Sequence, residues 1–171
     1  MSPSSTLEGP VLEHQQMITV RPISAADWDG WRHLYLGYAD FYSVQTDEEK
    51  LSTLFGWLLD VDHVCDGILA VMATGEIVGL AHFRGMPSPL RGAEIGFLDD
   101  LFVDPAARGS GAADALLKQV DRIAGDRGWD VVRWITRDGN YRARGLYDRL
   151  ALRSDWVTYE MTATSAGRIG M

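Results

Sequence analysis

Residues 94–124 form the stretch that most constrains this chain: an apolar run, a glycine turn and an amphipathic helix follow one another without a break. Residues 94–103 are near-continuously apolar apart from Asp99 and Asp100, the pattern of a central strand covered on both faces. The turn Arg108-Gly109-Ser110-Gly111-Ala112-Ala113 leads into a helix whose core face is Ala113, Leu116, Leu117, Val120, Ile123 and Ala124, ending near Gly128. A glycine turn opening a helix presents a row of backbone N–H groups at the positive end of the helix dipole. That is what an anionic phosphate chain needs.

The flanking sequence supplies the rest of an α/β fold. Residues 17–22 read as a short entering strand, and Ser24 is an N-cap with Asp27 three residues on as an imperfect capping box. Trp28, Trp31, Leu34, Tyr35 and Tyr38 recur at helical spacing, and Tyr38 and Tyr42, near that helix's end, either pack in the core or line a pocket. Residues 47–60 read as a second helix. Residues 67–73 and 76–83 read as strands joined at Thr74-Gly75. With two prolines and two glycines, residues 84–92 read as a loop bordering the central strand. Residues 131–136 read as a strand, 141–150 as a short helix and 156–161 as a final strand. The sum is a mixed sheet with helices on both faces and a strand–helix–strand crossover at its centre.

Bulk properties narrow the partners. The chain has 171 residues, enough for one domain with a sizeable core, and 46% are hydrophobic. We expect a single domain over residues 17–163, with flexible extensions at 1–16 and 164–171. A net charge of −8 argues against a nucleic-acid-binding surface and favours cationic partners. No apolar stretch reaches membrane-span length and no signal-peptide pattern opens the chain, so no membrane partner and a cytoplasmic location are expected. Cys65 is the only cysteine and reads as a buried thiol. His14, His33, His63 and His82 lack metal-ligand spacing and read as surface or satisfied core histidines, so no metal is expected.

Spacing decides among phosphate-binding readings of the turn. A nucleotide P-loop requires Lys followed by Ser or Thr after its last glycine, where this chain has Ala112-Ala113. A dinucleotide fingerprint requires a third glycine where Asp114 stands. The segment resembles instead the acetyl-CoA motif of the GCN5-related N-acetyltransferase (GNAT) superfamily, R/Q-x-x-G-x-G/A, with Arg108, Gly111 and Ala113 in its defined positions. Asn140, Ala143, Leu146, Tyr147 and Leu150 are similar to a second motif of that family, which Ala151-Leu152 leaves where Gly-Phe is usual. The run from Phe97 to Val103, with Trp134 to Thr136 and Asn140 to Tyr147, is similar to the Hpa2-type histone and polyamine acetyltransferase branch.

The resemblance implies a GNAT fold: a central, mostly antiparallel sheet of six or seven strands, flanked by about four helices and splayed between strands 4 and 5. It implies acetyl-CoA as co-substrate, held by Leu101, Phe102 and Val103 of the splayed strand, by Arg108, Gly109, Ser110, Gly111, Ala112 and Ala113 of the turn, and by Asn140, Arg144 and Tyr147. Arg133, Arg137, Arg142 and Arg144 either meet the cofactor's 3′-phosphate or form a solvated basic rim. It further implies direct attack of a primary amine, with Tyr147 as general acid toward the leaving sulfur and a backbone N–H near Phe102 polarising the carbonyl. Asp99 and Asp100 serve as base, as anchor for a cationic amine, or as a structural salt bridge. Adjacent strand residues point to opposite faces, so one of them faces the acceptor unless a bulge resets the parity. Tyr38 and Tyr42 are the further acceptor-site candidates. The expected acceptor is a small cationic amine or polyamine. A protein lysine or N-terminus, an aminoglycoside-like amine, an amino acid, or a non-catalytic acyl-CoA sensor are the alternatives, and a homodimer is the expected assembly.

Overall fold

The computed structural model describes residues 18–162, so the extensions expected at 1–16 and 164–171 lie outside the described residues. Its elements are β1 (Ile18–Pro22), α1 (Trp28–Tyr42), α2 (Glu48–Leu59), β2 (Cys65–Met72), β3 (Ile77–Ser88), β4 (Ala93–Val103), α3 (Ala112–Arg127), β5 (Val132–Arg133) and α4 (Tyr141–Leu150). Single 3₁₀ turns at Ala25–Asp27 and Pro105–Ala107 precede α1 and α3. Two compact units divide the chain, the first reaching Ile135 and the second starting at Thr136. The sheet and α1 to α3 belong to the first, and α4 to the second.

Local chemistry sets the helix boundaries. Ser24 N–H donates to Asp27 Oδ2 at 2.8 Å, completing the capping box, and the Arg21 guanidinium grips the same carboxylate with two bonds of 2.7 Å. That fork holds the Asp27 carboxyl well below its usual range, at about 2. Asp47 caps α2 by accepting from Lys50 N–H, and Gly128 closes α3 with φ of +71°.

The sheet is mixed and runs in the order β1-β2-β3-β4-β5, antiparallel except for the parallel β4–β5 pair. Trp31 and Leu34 of α1 and Leu51 and Phe55 of α2 pack with Leu69, Leu80 and Phe102 of the sheet in one buried cluster. Each such side chain contributes about 1.5–3 kcal/mol through burial. On α3, Leu116, Leu117, Val120 and Ala124 are buried as its periodicity requires. No helix among the described residues is long and apolar enough to cross a membrane.

Two expectations are corrected. Residues 84–92 are not a loop throughout: β3 continues to Ser88, paired with Ala93, and only the turn that follows it is irregular. β2 begins at Cys65, opposite Arg84, so from Gly85 onward that edge of β3 has no strand partner among the described residues, and Pro87 is tolerated there. The described residues also form five strands instead of six or seven. Val132–Arg133 is a two-residue strand, and residues 156–161, although rich in β-forming side chains, are assigned to no strand and stand exposed.

Candidate functional site

The glycine turn has the conformation that its sequence demands. Gly109 and Gly111 adopt φ of +89° and +88°, a region costly for any residue with a Cβ. A Cβ built on either would meet nothing within 4 Å, so the outer side of the turn is open. The first helical bond of α3 runs from Ala115 N–H to Gly111 C=O at 2.9 Å; ahead of it, at the positive end of the dipole, lie the amides of Ala113 and Asp114 and that of Ala112, which donates to Ser110 Oγ at 3.4 Å. The Asp114 carboxylate, in this first turn, is drawn aside by Lys118 at 2.7 Å. These features fit a pyrophosphate.

Upstream, β4 is bonded to β3 along its length up to Val103, but to β5 only at Gly96 and Phe97. Beyond Phe97 its outer edge therefore has no strand partner among the described residues. The backbone of Leu101, Phe102 and Val103 lies on this splayed segment, suited to bond an extended amide-bearing arm. The Phe102 ring points the other way, against Gly37 and Tyr38 of α1.

A bulge controls the acidic pair. The β3–β4 register moves from Phe83↔Leu98 to His82↔Asp100, so Asp99 is the extra residue on β4. His82 and Arg84 alternate on β3 and share a face. Asp100 Oδ2 lies 2.8 Å from His82 Nδ1, and both Asp99 oxygens accept from Arg84, at 3.0 and 3.3 Å from Nε and 3.2 Å from Nη2. Both carboxylates thus project from the α1 side of the sheet, as the bulge alternative allowed and simple parity did not.

The Tyr38 phenol stands near the Asp100 carboxylate. Burial first, then the charge of Asp100, push the Tyr38 phenol far above its ordinary value, so it remains protonated. Burial likewise pushes Tyr35 up to about 12. Tyr38 opens onto a cleft of about 620 Å³ between α1 and α2, whose walls include Tyr35, Tyr42 and Trp57 and whose rim carries Asp47, Glu49 and Lys50. Asp47 is paired with Lys50 at 3.4 Å, so Glu49 is the rim carboxylate that, with the aromatic faces, suits an alkylammonium. Burial, followed by the charges of Asp99 and Asp100, raises the Cys65 thiol to about 11, which keeps it protonated and unreactive.

Within the second unit, Asn140 is the N-cap of α4, its Oδ1 accepting from Ala143 N–H while its Nδ2 donates to Thr136 Oγ1. Arg144 bonds the carboxylate and the backbone carbonyl of Asp138. Tyr147 lies on the same helix.

The sequence reading took His82, with the other histidines, as a surface or satisfied core residue and did not tie it to Asp100. It is fully buried, with Trp31 Nε1–H donating to its Nε2 at 2.9 Å. Its partners are 51 and 18 residues away, so no local pattern could have marked it. Among the described residues, no group of three His, Cys, Asp or Glu is placed to hold a metal.

Against known proteins, a family model described as Acetyltransferase (GNAT) family matches residues 28–151. A D-amino-acid N-acetyltransferase of Saccharomyces cerevisiae, HPA3, is 30% identical over 144 residues, covering 84% of this chain and 89% of that protein. An aminoglycoside N(6')-acetyltransferase type 1 of Stenotrophomonas maltophilia is 33% identical over 114 residues, covering 64% of this chain and 69% of that one. The solved complex of aminoglycoside acetyltransferase AAC(6')-Iy with the bisubstrate analogue CoA-S-monomethyl-acetylneamine superposes with a TM-score of 0.74 at 19% identity, over 86% of this chain and 99% of that one.

Proposed function

The chain belongs to the acetyltransferase (GNAT) family, with acetyl-CoA as its co-substrate, and on that premise we propose that this N-acetyltransferase acts on a small cationic amine such as a polyamine. The observation that carries the reading is the aromatic cleft between α1 and α2, which Tyr38 lines near Asp100 and whose rim carries the Glu49 carboxylate. A flexible alkylammonium gains attraction from the rim and cation–π contact inside.

Bound acetyl-CoA supplies an acyl group activated as a thioester. The open turn at Gly109 and Gly111, with Arg108, Ser110, Ala112 and Ala113, holds the pyrophosphate, and the free edge of Leu101, Phe102 and Val103 holds the arm. Asp100 takes the proton that the acceptor ammonium must lose before its nitrogen can attack. Asp99, held by Arg84, braces the bulge. A backbone N–H near Phe102 polarises the carbonyl as the C–N bond forms and the C–S bond breaks. Tyr147 gives its phenolic proton to the departing sulfur, and the second proton lost by the amine restores the phenol through solvent. Asn140 and Arg144 keep α4 in place for that tyrosine. The net change is one amide, one thiol and one proton released from each ammonium and thioester. A homodimer belongs to the same proposal and is read out by light scattering.

A D-amino acid is the second reading, favoured by Lys50 at the cleft as a carboxylate partner and by the name of the yeast relative. Thermal shift with acetyl-CoA, followed by thiol-release assays over polyamines, aminoglycosides, D-amino acids and neutral amines, separates the possibilities. Binding without turnover on any amine would replace the enzyme reading by a sensor. Turnover confined to D-amino acids would replace the acceptor.

A further inference from the structure

We propose that His82 is a positioning residue for Asp100, locked into one tautomer by Trp31, so that the usual order of a histidine–carboxylate pair is reversed. In acyl-transfer dyads a buried carboxylate orients a histidine that meets the substrate. Here the histidine is the buried member: His82 and Trp31 are fully buried, whereas the Asp100 side chain keeps 18% of its surface exposed. Trp31 Nε1–H can only donate, so His82 Nε2, 2.9 Å away, must carry a lone pair. The ring proton is then on Nδ1, donated to Asp100 Oδ2 at 2.8 Å.

Three consequences follow. His82 has no lone pair facing the cleft and cannot serve as the base. A carboxylate has about four lone-pair sites, so Asp100 can accept from His82 and still take a proton from an ammonium. The direction in which it does so is set by His82 of β3, whose ring is in turn held by Trp31 of α1. The ring is held in addition by the aromatic face of α1, with Tyr35 5.7 Å and Trp31 6.1 Å from it between centroids.

The proposal rests on Asp100 being the base, and its test separates the two claims. His82→Asn puts an amide donor close to the place of Nδ1, whereas His82→Leu, of nearly equal size, removes the donor. Both leave Trp31 Nε1–H unpaired, so they share that folding cost. Relative to wild type, His82→Leu should lower kcat by about tenfold or more, with KM for acetyl-CoA unchanged, and His82→Asn should recover to within about threefold. Equal kcat for the two variants would overturn the positioning role. Should Asp100→Asn keep wild-type kcat, the base assignment fails, and the proposal with it. If His82→Leu does not fold, long-range ¹H–¹⁵N correlation on the wild-type protein at neutral pH decides. A proton on Nδ1 with a bare Nε2 is expected, and a protonated Nε2 would contradict it.

Discussion

Asp99 and Asp100 are neighbours in β4, yet both carboxylates leave the same face of the sheet, one to Arg84 and the other to His82. The bulge at Asp99 produces this arrangement and gives the pair different work. Asp99 is held by a guanidinium fork, whereas Asp100 is held by the His82 ring.

Substituting each carboxylate should therefore separate stability from chemistry. Asp99→Asn should lower stability by about 1 kcal/mol or less, because the Arg84 pair is partly exposed, and should leave kcat within about threefold. Asp100→Asn should lower kcat by about a hundredfold on every amine, with little change in melting temperature. Melting curves alongside steady-state kinetics check both, and a larger kinetic loss at Asp99 would reverse the assignment.

Tyr147→Phe should leave acetyl-CoA affinity, measured by calorimetry, within about twofold while turnover falls about tenfold or more, since only a proton donor is removed. Unchanged turnover would mean that another group protonates the thiolate.

Gly111→Ala introduces a Cβ at φ of +88° without any clash, so its cost is conformational, about 1–2 kcal/mol, and it should raise KM for acetyl-CoA. Gly125→Ala is the control: it lies within α3 with open space around it, and should be neutral or stabilising by up to about 1 kcal/mol. Equal acetyl-CoA KM values in the two variants would count against the turn as the phosphate site.

The Arg21–Asp27 fork gives acid stability a defined origin. The folded carboxyl, at about 2, lies below its unfolded value, so its stabilisation is complete above about pH 4–5 and is lost as pH falls toward 2. The shift corresponds to about 2 kcal/mol. Melting temperatures of wild type and Asp27→Asn should converge as pH falls through that window; a gap independent of pH would assign the effect to packing.

What the sequence made legible is what depends on neighbours along the chain. The helix end at Gly128 and the turn from Arg108 to Ala113 are local signals, and the structure has both. Residues 84–92 misled because the tolerance of a strand for Pro87 depends on where β2 begins. The facing of Asp99 and Asp100 was open because a bulge is a property of two strands. His82 was invisible as a partner for Asp100 because Trp31 and Asp100 reach it only through tertiary pairing.

The central claim, acetylation of a cationic amine in the cleft between α1 and α2, is tested most directly by kcat/KM for spermidine against a length-matched monoamine with a neutral tail. Acetyl-CoA is held saturating and thiol release is followed. The account predicts a preference of about tenfold or more for spermidine, reduced in Glu49→Gln, where the rim loses a charge. Equal kcat/KM for the two acceptors, or a higher value for the neutral one, would contradict it.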